Sequence, residues 1–293
     1  MGIEVQKAGL RALQRPSGAY AMLAVDQRES LRAMFAQHQP TPVTDEQVTR
    51  FKLLAVRTLT PYASAVLVER QFAWERVVRE GLVAPGCGLI AAADQFIGGP
   101  DEIVAESVID EAMVPERVKR QGAVAMKLLV IWRPDEPADK RLALVERFVQ
   151  RCRNADLASI IEPVSRKPKN GQAWDWNAGV LAAAQELGHC GADLYKAEMP
   201  LHGEGDEPVI RQACAALTRA IASPWVVLSS GVKPDNFPRA VELAGREGAS
   251  GFLAGRAVWS GVIGSADLPQ ALRQDAVARL CRLCEVVDRV VGQ

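Results

Sequence analysis

At 293 residues the chain is long enough to bury a large core, and its length suits one (β/α) barrel as well as two smaller domains. With 35 basic and 35 acidic residues its formal charge is zero, which excludes a global bias toward nucleic acid, anionic membrane or another polyanion, so any anion site must be local. No apolar run approaches the roughly 20 residues of a membrane span, and Met1 to Arg15 lacks the basic-then-apolar order of a signal peptide, so the expectation is a soluble, cytoplasmic protein.

Ala19 to Val25 is a continuous apolar run, read as a strand buried on both faces, with Asp26-Gln27-Arg28 at its carboxyl end. Helical spacing follows over Ser30–Gln37 and Thr44–Leu59, the second opened by a capping box of Thr44 and Gln47. Ala63 to Val68 is the second strand, followed by a helix through Trp74 and Val78. Gly88 to Ala93 is the third strand, ending at Asp94. From Gly98 to Val114 the pattern weakens to a long connection, and a short helix follows Pro115.

The fourth strand, Ala123–Ile131, embeds Lys127, and the fifth, Ala158–Val164, embeds Glu162. Between them Lys140–Arg153 reads as a helix. A basic loop, Arg166 to Gly171, and a helix from Trp176 to Leu187 lead to the stretch Gly191–Pro200, where Lys196 interrupts an apolar strand. Helices over Pro208–Ile221 and Pro234–Arg246 flank the seventh strand, Trp225–Ser230. Ser250–Ala254 is the eighth, closed by Gly255-Arg256 and a terminal helix. Cys281 and Cys284 form a CxxC on the apolar stripe of that helix, without a second ligand pair, and read as buried reduced thiols rather than a zinc site.

Eight apolar strands alternating with helices, without a linker or composition break, predict an α/β chain folded as one (β/α)8 TIM barrel over residues 1–293. A doubly wound open sheet is disfavoured because no Gly-x-Gly-x-x-Gly follows the first strand. In a barrel the carboxyl ends of the strands converge on one cavity, so Asp26, Lys127, Glu162 and Lys196, each costly alone in an apolar setting, become a group.

Burial and a neighbouring lysine both favour a neutral, nucleophilic amine at Lys196. Period-two alternation places Lys196 and Glu198 on one face, with a salt bridge between them as the purely structural alternative. The ends of the seventh and eighth strands, Ser229-Ser230-Gly231 and Gly255-Arg256, carry the residue types that hold a phosphate: close-approaching glycines, hydroxyl donors and a guanidinium fork. Gln27 and Arg28 are further candidate substrate contacts by their place at a strand end.

Seven blocks in order, Leu23–Arg28, Leu59–Ser64, Lys127–Leu129, Ile161–Pro163, Leu194–Pro200, Leu228–Val232 and Leu253–Trp259, resemble the class I tagatose-bisphosphate aldolase family, and within it most nearly the sulfofructosephosphate branch. The resemblance runs from about Ser17 to the terminal helix. It implies that Lys196 forms a Schiff base with a ketose phosphate and that Asp26, Lys127 and Glu162 match charged active-site positions; Glu162 is the first choice as proton shuttle and Asp26 the second. The implied reaction is cleavage of 6-deoxy-6-sulfofructose 1-phosphate to dihydroxyacetone phosphate and 3-sulfolactaldehyde. Cleavage of tagatose 1,6-bisphosphate is the alternative, and a non-catalytic sugar-phosphate-binding barrel a second. No cofactor and no metal are expected, because an iminium serves as electron sink. The only partners expected are the small-molecule substrate and, through the apolar terminal helix, other copies in a homo-oligomer. No individual role carries over to the basic loop Ser165 to Trp174.

Overall fold

The protein is described by a computed structural model over residues 8–292. Its strands, in chain order, are β1 (Tyr20–Ala24), β2 (Ala65–Val68), β3 (Gly88–Ala92), β4 (Asp94–Ile97), β5 (Glu106–Ile109), β6 (Ala123–Trp132), β7 (Ala158–Ser165), β8 (Leu194–Glu198), β9 (Trp225–Leu228) and β10 (Gly251–Ala254). Eight of them close into a parallel barrel, running β1, β2, β3, β6, β7, β8, β9, β10 and back to β1. All eight predicted strands are in this ring. The fold is a TIM barrel, with helices between the strands.

Alternation along each strand divides the core in two. Met22, Ala24, Leu67, Ile90, Ile160, Leu194 and Val226 fill the barrel interior. Their neighbours Leu23, Val66, Tyr195, Ala197 and Val227 point outward, where the apolar stripes of the helices cover them. Leu10 and Leu13 belong to the inner cluster, so the short helix Ala8–Arg11 and the residues after it stop the amino end of the barrel. The packing there is close: a side chain on Gly9 would start 2.6 Å from the carbonyl of Val124, at the amino end of β6.

Two local expectations change. The weak segment after Gly98 holds part of an antiparallel hairpin, in which β4 and β5 pair with Asp94 opposite Ile109 and Ile97 opposite Glu106. Its four-residue strands are too short for a clear period, and Ile97 is exposed. The capping box is half formed. Thr44 accepts from the backbone N–H of Gln47 at 3.2 Å, but the Gln47 amide turns away to Gln39 at 2.6 Å. The six cysteines are free; Cys284 is buried and Cys281 only half-buried.

The barrel closes where β1 meets β10, with Tyr20 opposite Gly251. Gly251 has φ +142°, and an added Cβ would lie 1.9 Å from the Tyr20 carbonyl oxygen. Backbone on both sides of the seam leaves no flexible atom to give way. Gly251→Ala should therefore lose on the order of 3 kcal/mol or more, summing backbone strain and overpacking. Denaturant melts that superpose on wild type would show that the seam relaxes freely.

Candidate active site

On the strands that carry the charges, the inward series runs from apolar to ionised toward the carboxyl end: Met22, Ala24, Asp26 from β1; Ala125, Lys127 within β6; Ile160, Glu162 within β7; Leu194, Lys196 within β8. The apolar layers below exclude water from the base of the site. All four charged residues meet, as the sequence predicts. The Lys127 ammonium lies 2.9 Å from a carboxylate oxygen of Asp26, 2.9 Å from Asp94 and 2.9 Å from Glu162. Lys196 reaches the same Oε2 of Glu162 at 3.1 Å.

Their electrostatics separate the two lysines. Burial opposes the Lys127 charge, but Asp26, Asp94 and Glu162 outweigh it and hold its pKa well above the ordinary lysine value. Lys127 is therefore a fixed cation. Burial likewise pushes the Asp26 carboxyl up, yet Lys127 and then Lys196 draw it far below the usual carboxylate range. Asp26 stays ionised. Among the described residues only Glu162 lies within ion-pair distance of Lys196, which lines a cavity of about 340 Å³ together with Asp26 and Glu162.

Glu198 shares the inward parity of Lys196, as alternation predicts, but is not its ion-pair partner. It accepts from the backbone N–H of Ser165 at 2.7 Å and lies 3.8 Å from Arg166. β7 brings Glu162 to the amine instead, a contact between neighbouring strands that the sequence of one strand does not reveal.

The candidate anion corner assembles on the same cavity. Ser229, Ser230, Gly255 and Arg256 line it, and the Arg256 guanidinium donates to the Ser230 hydroxyl at 2.5 Å. Gly255 is required by close approach, since a Cβ would start 2.4 Å from the Ala24 carbonyl and 2.8 Å from the Gln27 amide. Gly231 has φ +79° and packs against the His202 ring, and does not line the cavity. Gln27 and Arg28 line it. Arg28, however, is largely committed: its Nη2 donates to the Asp94 carbonyl and carboxylate, both at 2.7 Å, and its guanidinium lies over the Phe96 ring at 4.0 Å.

Asp94, by sequence no more than a strand end, clamps Lys127 and accepts from the Leu129 N–H at 3.1 Å. The available signal was its place directly after the apolar run of β3, the same signal that marks Asp26 after β1. Behind it, buried Lys52 donates to Glu69 at 2.5 Å and to the Val25 carbonyl at 3.0 Å, and Glu69 faces Arg28 at 3.9 Å. Lys52 interrupts the buried stripe Val48, Phe51, Ala55, Val56 of its helix, which is the mark a sequence reading can use. At the mouth, buried Arg133 pairs with Glu102 of the hairpin loop and donates to the carbonyl of Lys167 in the basic loop. A larger cleft of about 850 Å³, lined by helix residues such as Phe51 and Arg50, shares no residue with this cluster.

An eight-stranded barrel with paired lysines and carboxylates at the carboxyl ends of its strands has the layout of a barrel enzyme. The DeoC/LacD family aldolase profile matches residues 20–261, and the chain belongs to that family. Among its relatives, a tagatose 1,6-diphosphate aldolase of Listeria monocytogenes is 29% identical over 278 residues, covering 86% of this chain and 80% of that one. Tagatose 1,6-diphosphate aldolase 2 of Streptococcus pyogenes is 28% identical over 309 residues, covering 94% and 92%. Solved structures of the same fold include an archaeal fructose-1,6-bisphosphate aldolase with its catalytic lysine bound to a carbinolamine (TM-score 0.62, 17% identity, 96% and 98% covered). The aldolase of Plasmodium falciparum superposes with a TM-score of 0.69 at 14% identity, covering 96% and 93%. The protein is thus an aldolase of the DeoC/LacD family.

Removing Lys127 would leave three carboxylates gathered in an apolar interior. Lys127→Met should cost about 3–5 kcal/mol of stability, the usual penalty for breaking a buried charge pair. A melting temperature equal to wild type would show that water, rather than Lys127, balances these carboxylates.

Proposed function

We propose that the protein is a Schiff-base aldolase that cleaves a ketose 1,6-bisphosphate of the tagatose type. The observation that carries this reading is a buried lysine at a cavity with one carboxylate oxygen 3.1 Å from its amine. The Lys196 amine adds to the substrate ketone, the carbinolamine loses water, and the resulting iminium accepts the electron pair released as the C3–C4 bond breaks. Glu162 takes the proton of the C4 hydroxyl as the aldehyde leaves, and returns a proton as the enamine is converted back to iminium. Hydrolysis then frees dihydroxyacetone phosphate. Asp26, held ionised, is the poorer proton carrier. Lys127, held charged by its three carboxylates, supplies a fixed positive charge beside Glu162.

The corner of Ser229, Ser230 and Arg256 suits the C1 phosphate, with Gly255 admitting it close to backbone. The names of the relatives favour a phosphate at the far end. 6-Deoxy-6-sulfofructose 1-phosphate, the substrate implied by the sequence resemblance, carries a three-oxygen anion at the same position and is the second reading.

Borohydride added with dihydroxyacetone phosphate should attach a reduced three-carbon phosphate to Lys196, detectable by peptide mass, and chelator should leave turnover intact. An adduct on Lys127 would exchange the two assignments. No adduct would favour the non-catalytic barrel.

Glu162→Gln keeps the shape of the side chain and removes proton transfer. Single-turnover cleavage should slow by at least ~100-fold, within the range of general acid–base catalysis, at a nearly normal melting temperature. A destabilised variant that cleaves at almost the wild-type rate would reduce Glu162 to a counter-ion and pass the proton to Asp26.

A further inference from the structure

The cavity is lined by four cationic side chains, Lys196, Arg28, Arg256 and Arg166. On the Schiff-base reading above, Lys196 is the nucleophile and Arg256 belongs to the corner of β9 and β10. Arg28 is engaged by Asp94. Arg166 is left. Its Nη1 donates to the Ser165 carbonyl at 3.0 Å, but its nearest carboxylate, Glu198, is 3.8 Å away, beyond hydrogen-bond reach, and its side chain is 34% exposed. A guanidinium at a cavity, with one hydrogen bond from its fork among the described residues, suits a three-oxygen anion.

Its place in the ring suits the far end of the substrate. Arg166 follows β7 and Arg256 follows β10, and in the ring these strands are separated by β8 and β9, with Lys196 on β8 between them. A ketose anchored by C1 at Arg256 and joined to Lys196 at C2 extends its remaining carbons toward β7. We infer that Arg166 selects the anion at the end of the substrate remote from C1, and that Glu198 positions it.

Glu198 is buried on β8, two residues beyond Lys196. By accepting from the Ser165 N–H it fixes the backbone at the residue that precedes Arg166. The groups that face its carboxyl are the Ser165 N–H, Arg166, the Trp176 indole and Glu162. Burial raises its pKa to about 7, with Glu162 adding to the rise and the other three opposing it. Below that pH a neutral Glu198 still holds Ser165 while leaving the Arg166 charge unquenched for substrate; above it, an anionic Glu198 competes for the guanidinium.

The test compares kcat/KM for three substrates: tagatose 1,6-bisphosphate, 6-deoxy-6-sulfofructose 1-phosphate and a ketose 1-phosphate with a plain 6-hydroxyl. In Arg166→Ala the preference for a distal anion over the plain hydroxyl should fall about 10- to 100-fold, as loss of a charge-assisted partner implies. Arg166→Lys, which keeps the charge without the fork, should fall in between and guards against a folding defect. Arg256→Ala should slow all three substrates alike and keep the preference. Equal loss on all three in Arg166→Ala would overturn the assignment, whereas loss for one distal anion only would support it and name that anion.

For Glu198 the readout is a pH profile with the sulfonated ketose, whose distal charge does not titrate. Its preference over the plain 1-phosphate should fall as pH rises through about 7 in wild type and stay flat in Glu198→Gln. The same slope in both would remove Glu198 from this role. Dihydroxyacetone phosphate has no distal anion, so a borohydride adduct on Lys196 should form in Arg166→Ala as in wild type. If wild type forms none, the aldolase reading fails, and calorimetric binding of the bisphosphate against the 1-phosphate still decides the role of Arg166.

Discussion

The contact on which the site depends is the Lys127 ammonium held at 2.9 Å by each of three carboxylates. Three such groups in an apolar interior repel one another and lack hydration, and one central cation makes their gathering tolerable. The same arrangement separates two chemically identical side chains. One lysine is saturated with counter-charge and structural; the other, one strand further than its neighbour β7, meets a single carboxylate oxygen and faces the cavity.

Charge alternation continues outward from this centre. Asp94 is held by Arg28, Arg28 faces Glu69, and Glu69 is paired with Lys52 on the helix Asp45–Leu59. Burial lowers the pKa of Lys52, against the pull of Glu69. Each member would be costly alone, so the row is stable only when complete, which fixes the rotamers nearest the reacting atoms.

Much of this was legible in the sequence because barrel strands announce themselves twice, by apolar runs and by the ionised residue that interrupts or ends them. Asp26, Lys127, Glu162 and Lys196 were recognisable for that reason, and the ring of strands explains why they meet. Partner choice was not legible. Whether Lys196 faces Glu198 or Glu162 depends on the stagger between β7 and β8, and whether Arg28 is free or tied depends on Asp94, sixty-six residues away. The β4–β5 hairpin is not legible because four-residue strands carry too little period, and the partners of the basic loop are not because they lie on other segments. Family membership gives the reaction class, an aldolase, without naming the substituent at the far end of the substrate.

Arg133 gives the mouth of the barrel a property that neither loop has alone. Buried to all but 1%, it is balanced by Glu102 from the hairpin and also holds a carbonyl from the basic loop. A longer hairpin would carry Glu102 away and leave the buried guanidinium to Glu136 at 3.9 Å, a weaker contact, while a rebuilt basic loop would cost it an acceptor. The two loops are therefore joined through one buried side chain, and that side chain is carried by β6, the strand that holds Lys127 and, one residue past its end, Arg133.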